Sequence, residues 1–549
     1  MKYVLLFICS ASLLLFSSLC AENSYEDSIP YGGYYTNKSY YSDKIGWFQS
    51  GTYMHTSLFR TGQVDLRPDG WRGAIQAVPF FGRITDHSSH QLAAWFGYNH
   101  KGTADCPIVF GEQTIADAGQ VLAAECDLDA RHFNIWTNNE TFKSKVWFFP
   151  EHAYTGIGFS WKQALWCNDD GTHRWWFELV APFVQVRNRM RMSEQVITSG
   201  GGAKDAIGID EDAYVGTIAE AFMQPGWWYG KIAPCGPLCG TAEDDMKRSR
   251  FTDVELKIGY NSMLLDCAQL ESFVGVILPT GNKSEARYLF EAIAGNGGHV
   301  GITFGTELGF KLSHTPYGQL GWFISMEGRY LFSNHQMRSF DLVGRPWSRY
   351  QTMFATKAAA KNALDAPGAG TTVTDAFVTH GINLMTRCVE IHPRGQYNLV
   401  SGWEWSGTNV IAEVGYAFYA RQAERITPNW TEGPILASRL FVPTGGVDNQ
   451  LFLAPVRTMA DPMNRASEFF DAAVFETYYD ALKIRERDVD WSSASHPGVV
   501  SNTLYGTVGY QDQEACYPYL FAVGAAWDYA FTNTAMHKIT FFLKGGVAF

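Results

Sequence analysis

The run over 538–549 alternates: Ile539, Phe541, Leu543, Val547 and Phe549 are apolar, while Lys538, Thr540 and Lys544 share the opposite face. Side chains along a strand point to opposite sides with period two, so this strand offers one face to hydrocarbon and the other to water. The pattern recurs through much of the chain. In 517–531, Tyr517, Tyr519, Phe521, Val523, Trp527, Tyr529 and Phe531 oppose Ala522, Gly524, Ala526 and Asp528. Val410, Ala412, Val414, Tyr416 and Phe418 oppose Asn409, Glu413 and Gly415, and 396–405 alternates likewise. Val300, Ile302, Phe304 and Leu308 oppose Thr303, Glu307 and Lys311; Leu320, Trp322, Ile324 and Met326 oppose Ser325, Glu327 and Arg329; Val254, Leu256 and Ile258 oppose Asp253, Glu255 and Lys257. These runs are about 10 to 15 residues, longer than a common sandwich strand and long enough to cross a bilayer at a tilt. An all-β fold whose wall separates lipid from lumen is expected.

At the other end, Lys2 precedes an apolar run over 3–16, then Ser17, Ser18, Cys20 and Ala21 before polar Glu22 and Asn23. This predicts a secretory signal peptide over 1–21, a periplasmic segment over 22–44 and a barrel over 45–549. Cys20 invites lipidation, but Leu19 stands before it where a small side chain is expected. No later stretch approaches the roughly 20 apolar residues of a spanning helix, so a spanning chain must close its strands into a barrel. Aromatic residues are 15% and charged residues 18%, with 53 glycines in 549, proportions that suit aromatic girdles and many turns. No Pro/Ser/Gly-rich linker or sustained repeat divides the chain, so one large domain is expected.

Together these features resemble bacterial outer-membrane β-barrels of the porin-like type. Phe549 with Val547 is similar to their carboxyl-terminal assembly signal, which implies recognition by the barrel-assembly machinery and a place in the cell outer membrane after secretion through the inner one. A narrower resemblance lies in Val276, Ile277, Leu278, Pro279, Thr280 and Gly281, followed by Gly295, Asn296, Gly297 and Gly298. These are similar to the strand, Pro-Thr-Gly loop and glycine-rich strand start of a barrel family linked to uptake of hydrophobic compounds; Pro-Thr-Gly is also an ordinary turn.

Such barrels keep short turns at the periplasmic end and long loops outside. Counting back from Phe549, the outer connections fall at 532–537, 421–501, 333–395, 279–298 and 185–250, and the inner ones at 512–516, 406–407, 312–318 and 263–266. Weaker alternation over 175–184, 155–163, 142–149, 131–136, 91–98 and 73–82, with 45–59 added for even parity, predicts a closed antiparallel transmembrane barrel of sixteen strands, fourteen being next. Short helices are expected in the outer loops, over 352–364 and 465–482. Sixteen strands would enclose water.

On that premise Glu255, Lys257, Glu307, Lys311, Glu327, Arg329, Glu404, Glu413, Arg421 and Asp528 are the candidate pore-lining residues. Both signs along one wall suit small polar solutes; equally, the charges could pair across strands and fill a closed interior. Arg187, Arg189 and Arg191 share a strand face at the outer rim, as either a basic ladder or a solvated extension.

No nucleophile elbow, paired metal histidines or phosphate loop appears, so neither catalysis nor a cofactor or metal is expected. Cys235 and Cys239 lack a second ligand pair for zinc. In an oxidising compartment, Cys106 with Cys126 and Cys235 with Cys239 are disulfide candidates. The acidic runs at 208–212 and 488–490 do not match a spaced calcium loop. Loss of Lys2 takes the net charge from −12 to −13, which disfavours nucleic acid as a partner. The leading expectation is an outer-membrane channel, seated in lipid, for passive diffusion of small hydrophilic solutes. The alternatives are a surface, adhesion or scaffold protein whose barrel is only an anchor, and an uptake barrel for hydrophobic compounds. Monomer and homo-oligomer are both open.

Overall fold

The structure is a computed structural model that describes residues 73–111, 126–130, 135, 142–168, 172–199, 216–223, 246–265, 268–286, 290–315, 317–350, 352–354, 379–428, 435–436, 439–443, 451–455, 484–512, 515–530 and 536–549. Its main sheet closes on itself as a 12-strand antiparallel barrel. The strands are β1 (Gly73–Ile84), β2 (Glu151–Cys167), β3 (His173–Val180), β4 (Val254–Leu265), β5 (Ala268–Leu278), β6 (Gly301–Thr315), β7 (Gly318–Leu331), β8 (Arg394–Gly407), β9 (Val410–Arg421), β10 (Val499–Asp512), β11 (Tyr519–Ala530) and β12 (Lys538–Ala548). Each pairs with its neighbours in sequence, and β12 returns to β1 with Ala74 opposite Ala548 and Ile84 opposite Lys538.

Two strands rise beyond the barrel. Phe183–Arg189 continues β3 along β2, and Met246–Phe251 leads into β4. The breaks coincide, because Pro182 lacks a ladder donor and Asp253 sits at a φ of 39°. The Thr252 N–H donates to the Pro182 carbonyl at 2.7 Å and ties the breaks together.

Short turns at 168–172, 266–267, 316–317, 408–409 and 513–518 share one end with Gly73 and Phe549, and the connections 85–150, 190–245, 279–300, 332–393, 422–498 and 531–537 share the other. The short and long connections read from the sequence fall at these ends in the same order. Side chains alternate as expected: Ile539, Phe541 and Leu543 are exposed, while Lys538, Thr540 and Phe542 are buried. The exposed face carries aromatics at both edges, Trp166, Trp175, Trp405, Tyr510 and Tyr519 near the turns and Phe81, Phe251, Tyr330, Trp527 and Phe541 near the loops. That is the apolar band and double girdle of a wall in lipid.

The sixteen-strand expectation is corrected to twelve. Residues expected as a strand over 91–98 instead form most of helix α1 (Asp86–Phe96), in which Ser88, Leu92, Trp95 and Phe96 are buried at helical spacing. The strand at Lys143–Phe148 exists, but it joins Ile108–Gly111, Leu128–Asp129 and Met192–Thr198 in a separate four-stranded sheet. Ile135 is buried, while the rest of 131–136 lies outside the described residues, as do 1–72 with the expected leader and the strand at 45–59. The closing partner of the last strand is therefore Gly73–Ile84. Of the expected loop helices, Thr352–Phe354 is a strand, and the remainder of 352–364 and all of 465–482 lie outside the described residues.

Candidate functional site in the barrel lumen and its cap

Gly275 and Thr303 stand between Lys257 on β4 and Arg329 on β7 in one cross-strand row. Their small side chains leave space above the wall, and the long ones reach across it. Lys257 Nζ lies 3.1 Å from Glu255 and 3.7 Å from Glu327, and Arg329 lies 2.6 Å from Glu255 and 3.1 Å from Glu327. Thr303 Oγ1 donates to Glu327 at 3.1 Å, and Lys257 sits 4.7 Å over the Phe273 ring. Four of the candidate lining residues thus form one buried, mutually neutralising cluster.

The remaining candidates distribute around the wall. Glu307 faces Glu271, which takes Lys162 at 2.8 Å, and Lys162 lies 4.0 Å over Trp176. Glu404 faces Glu413; the latter accepts from Tyr505 Oη at 2.8 Å and pairs with Lys544 at 3.5 Å. Like charges directly opposite repel, so Lys162 and Lys544 offset two such contacts. Asp528 pairs with Lys538 at 3.2 Å and accepts from Thr503. Arg421 donates to the Pro497 carbonyl at 3.2 Å at the loop end. Lys311 and Glu404 line a cavity of about 40 Å³ near the turn end, with Gln269, Gln319 and Ser406, room for two or three waters.

Alongside the ion pairs, the lumen holds a large apolar cluster. Phe80, Tyr154, Phe323, Tyr419, Tyr505 and Phe542 of the wall belong to one buried cluster with Phe96, Phe110, Phe148, Phe222 and Trp347 from the outer connections. Trp347 is its centre: Nε1 donates to the Phe96 carbonyl at 3.0 Å, and the Tyr350 ring lies 5.3 Å away. Beside it, Arg349 is buried in a fork on Asp341, with Nε to Oδ1 at 3.0 Å and Nη2 to Oδ2 at 2.7 Å, and that carboxylate raises the guanidinium's pKa despite burial. The 279–300 connection also turns inward, with Ala292, Ile293 and Ala294 buried. Its Pro-Thr-Gly and glycine-rich ends meet, since a Cβ on Gly281 would lie 2.8 Å from the Gly295 Cα, and Asp253 accepts from the Asn296 N–H at 2.5 Å.

Cys106 and Cys126 are not joined. Cys106 precedes the strand Ile108–Gly111, whereas the Cys126 Cβ is 3.0 Å from where a Cβ on Gly111 would stand, so the thiols flank opposite ends of that strand. Cys235 and Cys239 lie outside the described residues. At 488–490, Asp488 accepts from the Arg485 N–H and Asp490 from the Ser492 N–H, as turn caps. Sequence reasoning did not assign these capping residues, and missed Lys162, whose signal was its place one residue from Trp161 on the opposite face of β2.

The closed barrel, its apolar band and its filled lumen define a transmembrane β-barrel of the outer-membrane type. No protein-family model matches the chain, and no curated protein matches it significantly. Among solved structures, it is similar to an outer-membrane channel from Pseudomonas putida F1, at 8% identity and a TM-score of 0.34 over 88% of this chain and 100% of that one. It is similar also to a FadL homologue from Pseudomonas aeruginosa, at 8% identity and a TM-score of 0.28 over 94% and 99%. The transport unit of the autotransporter AIDA-I from Escherichia coli is similar at 5% identity and a TM-score of 0.29 over 93% and 99%. At such values nothing about function is read across.

Proposed function

We propose that this protein is an outer-membrane barrel that admits small apolar solutes, in place of the open hydrophilic pore that a sixteen-stranded wall would have formed. The observation that supports this reading is the single apolar cluster running from Trp347, Phe110 and Phe148 in the cap to Phe80, Phe323, Tyr505 and Phe542 on the lumen wall. A polar solute in that cluster would lose its hydrogen bonds to water without replacement. An apolar one gains roughly 25 cal/mol for each Å² it buries. Passage then depends on the cap loosening, a gated step. Phe549 and Val547 serve assembly at the turn end, and the leader over 1–21 carries the chain to the envelope.

Expressed in an outer membrane, the protein should speed uptake of a labelled monoaromatic compound and leave uptake of a labelled disaccharide unchanged, with no steady conductance in planar bilayers. Disaccharide uptake together with steady conductance would restore the hydrophilic channel. No gain for either solute would leave the barrel as an anchor.

A further inference from the structure

Phe323 stands between two glycines. On the lumen face of β7 it follows Gln319 and Gly321, and its cross-strand neighbours are Gly309 on β6 and Gly402 on β8. The ring lies over Gly402, where a Cβ would come 2.7 Å from its Cζ and 3.0 Å from Tyr505 Oη. Over Gly309, a Cβ would meet nothing within 4 Å among the described residues. That bare stretch of wall belongs to the cavity near the turn end, whose polar lining is Gln269, Lys311, Gln319, Glu404 and Ser406. Gly309, Lys311 and Gly321 keep partial contact with solvent, whereas Phe323 is 1% exposed. Among the described residues, Phe323 alone belongs both to this lining and to the apolar cluster centred on Trp347.

Given the apolar-solute path proposed above, on which this rests, we infer that Phe323 is its inner gate and that the adjoining cavity is the mouth through which the solute leaves on the turn side. A packed ring moves only where space adjoins it. The space over Gly309 lets this one turn off Gly402 while both strands stay in register. Within the apolar cluster a solute is held by the hydrocarbon surface it buries. Past Phe323 its neighbours are an ammonium, a carboxylate, two amides and a hydroxyl, groups that hold water instead. An apolar molecule gains nothing by lodging among them, so the polar mouth releases it. With the ring over Gly402, the same groups and their water stay apart from the cluster.

Uptake of a labelled monoaromatic compound by cells expressing the full-length protein tests the gate. Gly309→Cys adds a thiol where the wall is bare and should leave uptake at the wild-type rate. Sulfonatoethyl methanethiosulfonate, a charged thiol reagent that the apolar cluster excludes, should then reach that thiol from the turn side and abolish uptake beyond any loss in the wild type treated alike. A reductant should restore it. Gly321→Leu, whose Cβ would stand 3.4 Å from the nearest atom, fills the same cavity without a thiol. It should also abolish uptake, with the heat-modified mobility of the barrel unchanged. In a Trp347→Ala background, where the cap no longer sets the pace, adding Phe323→Ala should raise uptake severalfold. Undiminished uptake in folded Gly321→Leu, or in Gly309→Cys after peptide mass spectrometry shows the thiol modified, overturns the exit, as does a thiol that the reagent never reaches. Uptake no faster with Phe323→Ala than without it overturns the gate. Absence of uptake by the wild type is a separate failure, that of the function itself, and takes the gate with it.

Discussion

Lys257 and Arg329 occupy one row of the barrel wall with two strands between them, and they share the carboxylates of Glu255 and Glu327 across Gly275 and Thr303. A buried cluster of this kind is held by mutual neutralisation, and deleting one member leaves its partners charged in a poor solvent. Lys257→Met should therefore destabilise the barrel by about 3–5 kcal/mol in urea unfolding from micelles. Adding Glu327→Gln leaves the Arg329–Glu255 pair at 2.6 Å intact, so the double variant should lose less than the sum of the singles. Strict additivity would show that the four charges act independently.

The cap should open before the wall. Trp347 is a non-glycine residue at a φ of 63°, surrounded by the rings of Tyr98, Phe110, Phe148, Phe222 and Tyr350. Trp347→Ala removes those contacts and the bond to Phe96, at a cost of about 3–5 kcal/mol, while the strand ladders remain closed. Protease should then cut the outer connections faster without changing the heat-modified mobility of the barrel on gels. If both change together, cap and wall unfold as one unit.

How far the sequence was legible follows from what period two reports. It reports that a strand has two unlike faces, and β4 to β12 were readable because lipid and lumen demand that contrast along their whole length. It does not report which sheet a strand joins. Lys143–Phe148 alternates as well as any wall strand, yet it covers the mouth, and α1 places Leu92, Trp95 and Phe96 so closely that a short window suits strand and helix alike. The lumen charges were visible as residues on one face, but their pairing was not. Whether Lys257 meets the carboxylates of Glu255 and Glu327 or open water depends on barrel diameter, hence on strand count, which alternation over 91–98 and 142–149 inflated.

Acid should loosen the junction between α1 and β12. Burial, and then the His87 ring 4.9 Å away, holds the His537 imidazole below its ordinary value. The unfolded imidazole titrates near 6.5, so the unfolded chain takes up this proton first as pH falls. The contribution of His537 is thus fully present above that value and is lost progressively below it. The melting temperature in micelles should drop between neutral and mildly acidic pH, and His537→Gln should flatten the drop while keeping the backbone bonds to Ser88 and Thr85, at 2.6 and 3.0 Å. An identical pH profile in the variant would assign the acid sensitivity elsewhere.

Phe549 closes the seam, and the assembly role proposed for its ring is separable from that closure. Its N–H donates to the Gly73 carbonyl and its carbonyl accepts from the Gly73 N–H, both at 2.9 Å, so the last residue closes the cylinder as well as ending the chain. Its ring is 45% exposed on the lipid side, where an assembly factor could reach it. A Cβ on Gly73 would stand 2.9 Å from that ring and 2.6 Å from Gln163 Oε1. Gly73→Ala should therefore strain the seam and lower the urea midpoint while leaving the exposed aromatic for assembly. Deleting Phe549 removes both functions, and Phe549→Tyr keeps both. The yield of heat-modifiable barrel in the envelope should fall sharply for the deletion, little for Gly73→Ala and not at all for Phe549→Tyr. Equal loss of yield for Gly73→Ala and the deletion would mean that the terminus matters only as a seam, with no signal read from the ring itself.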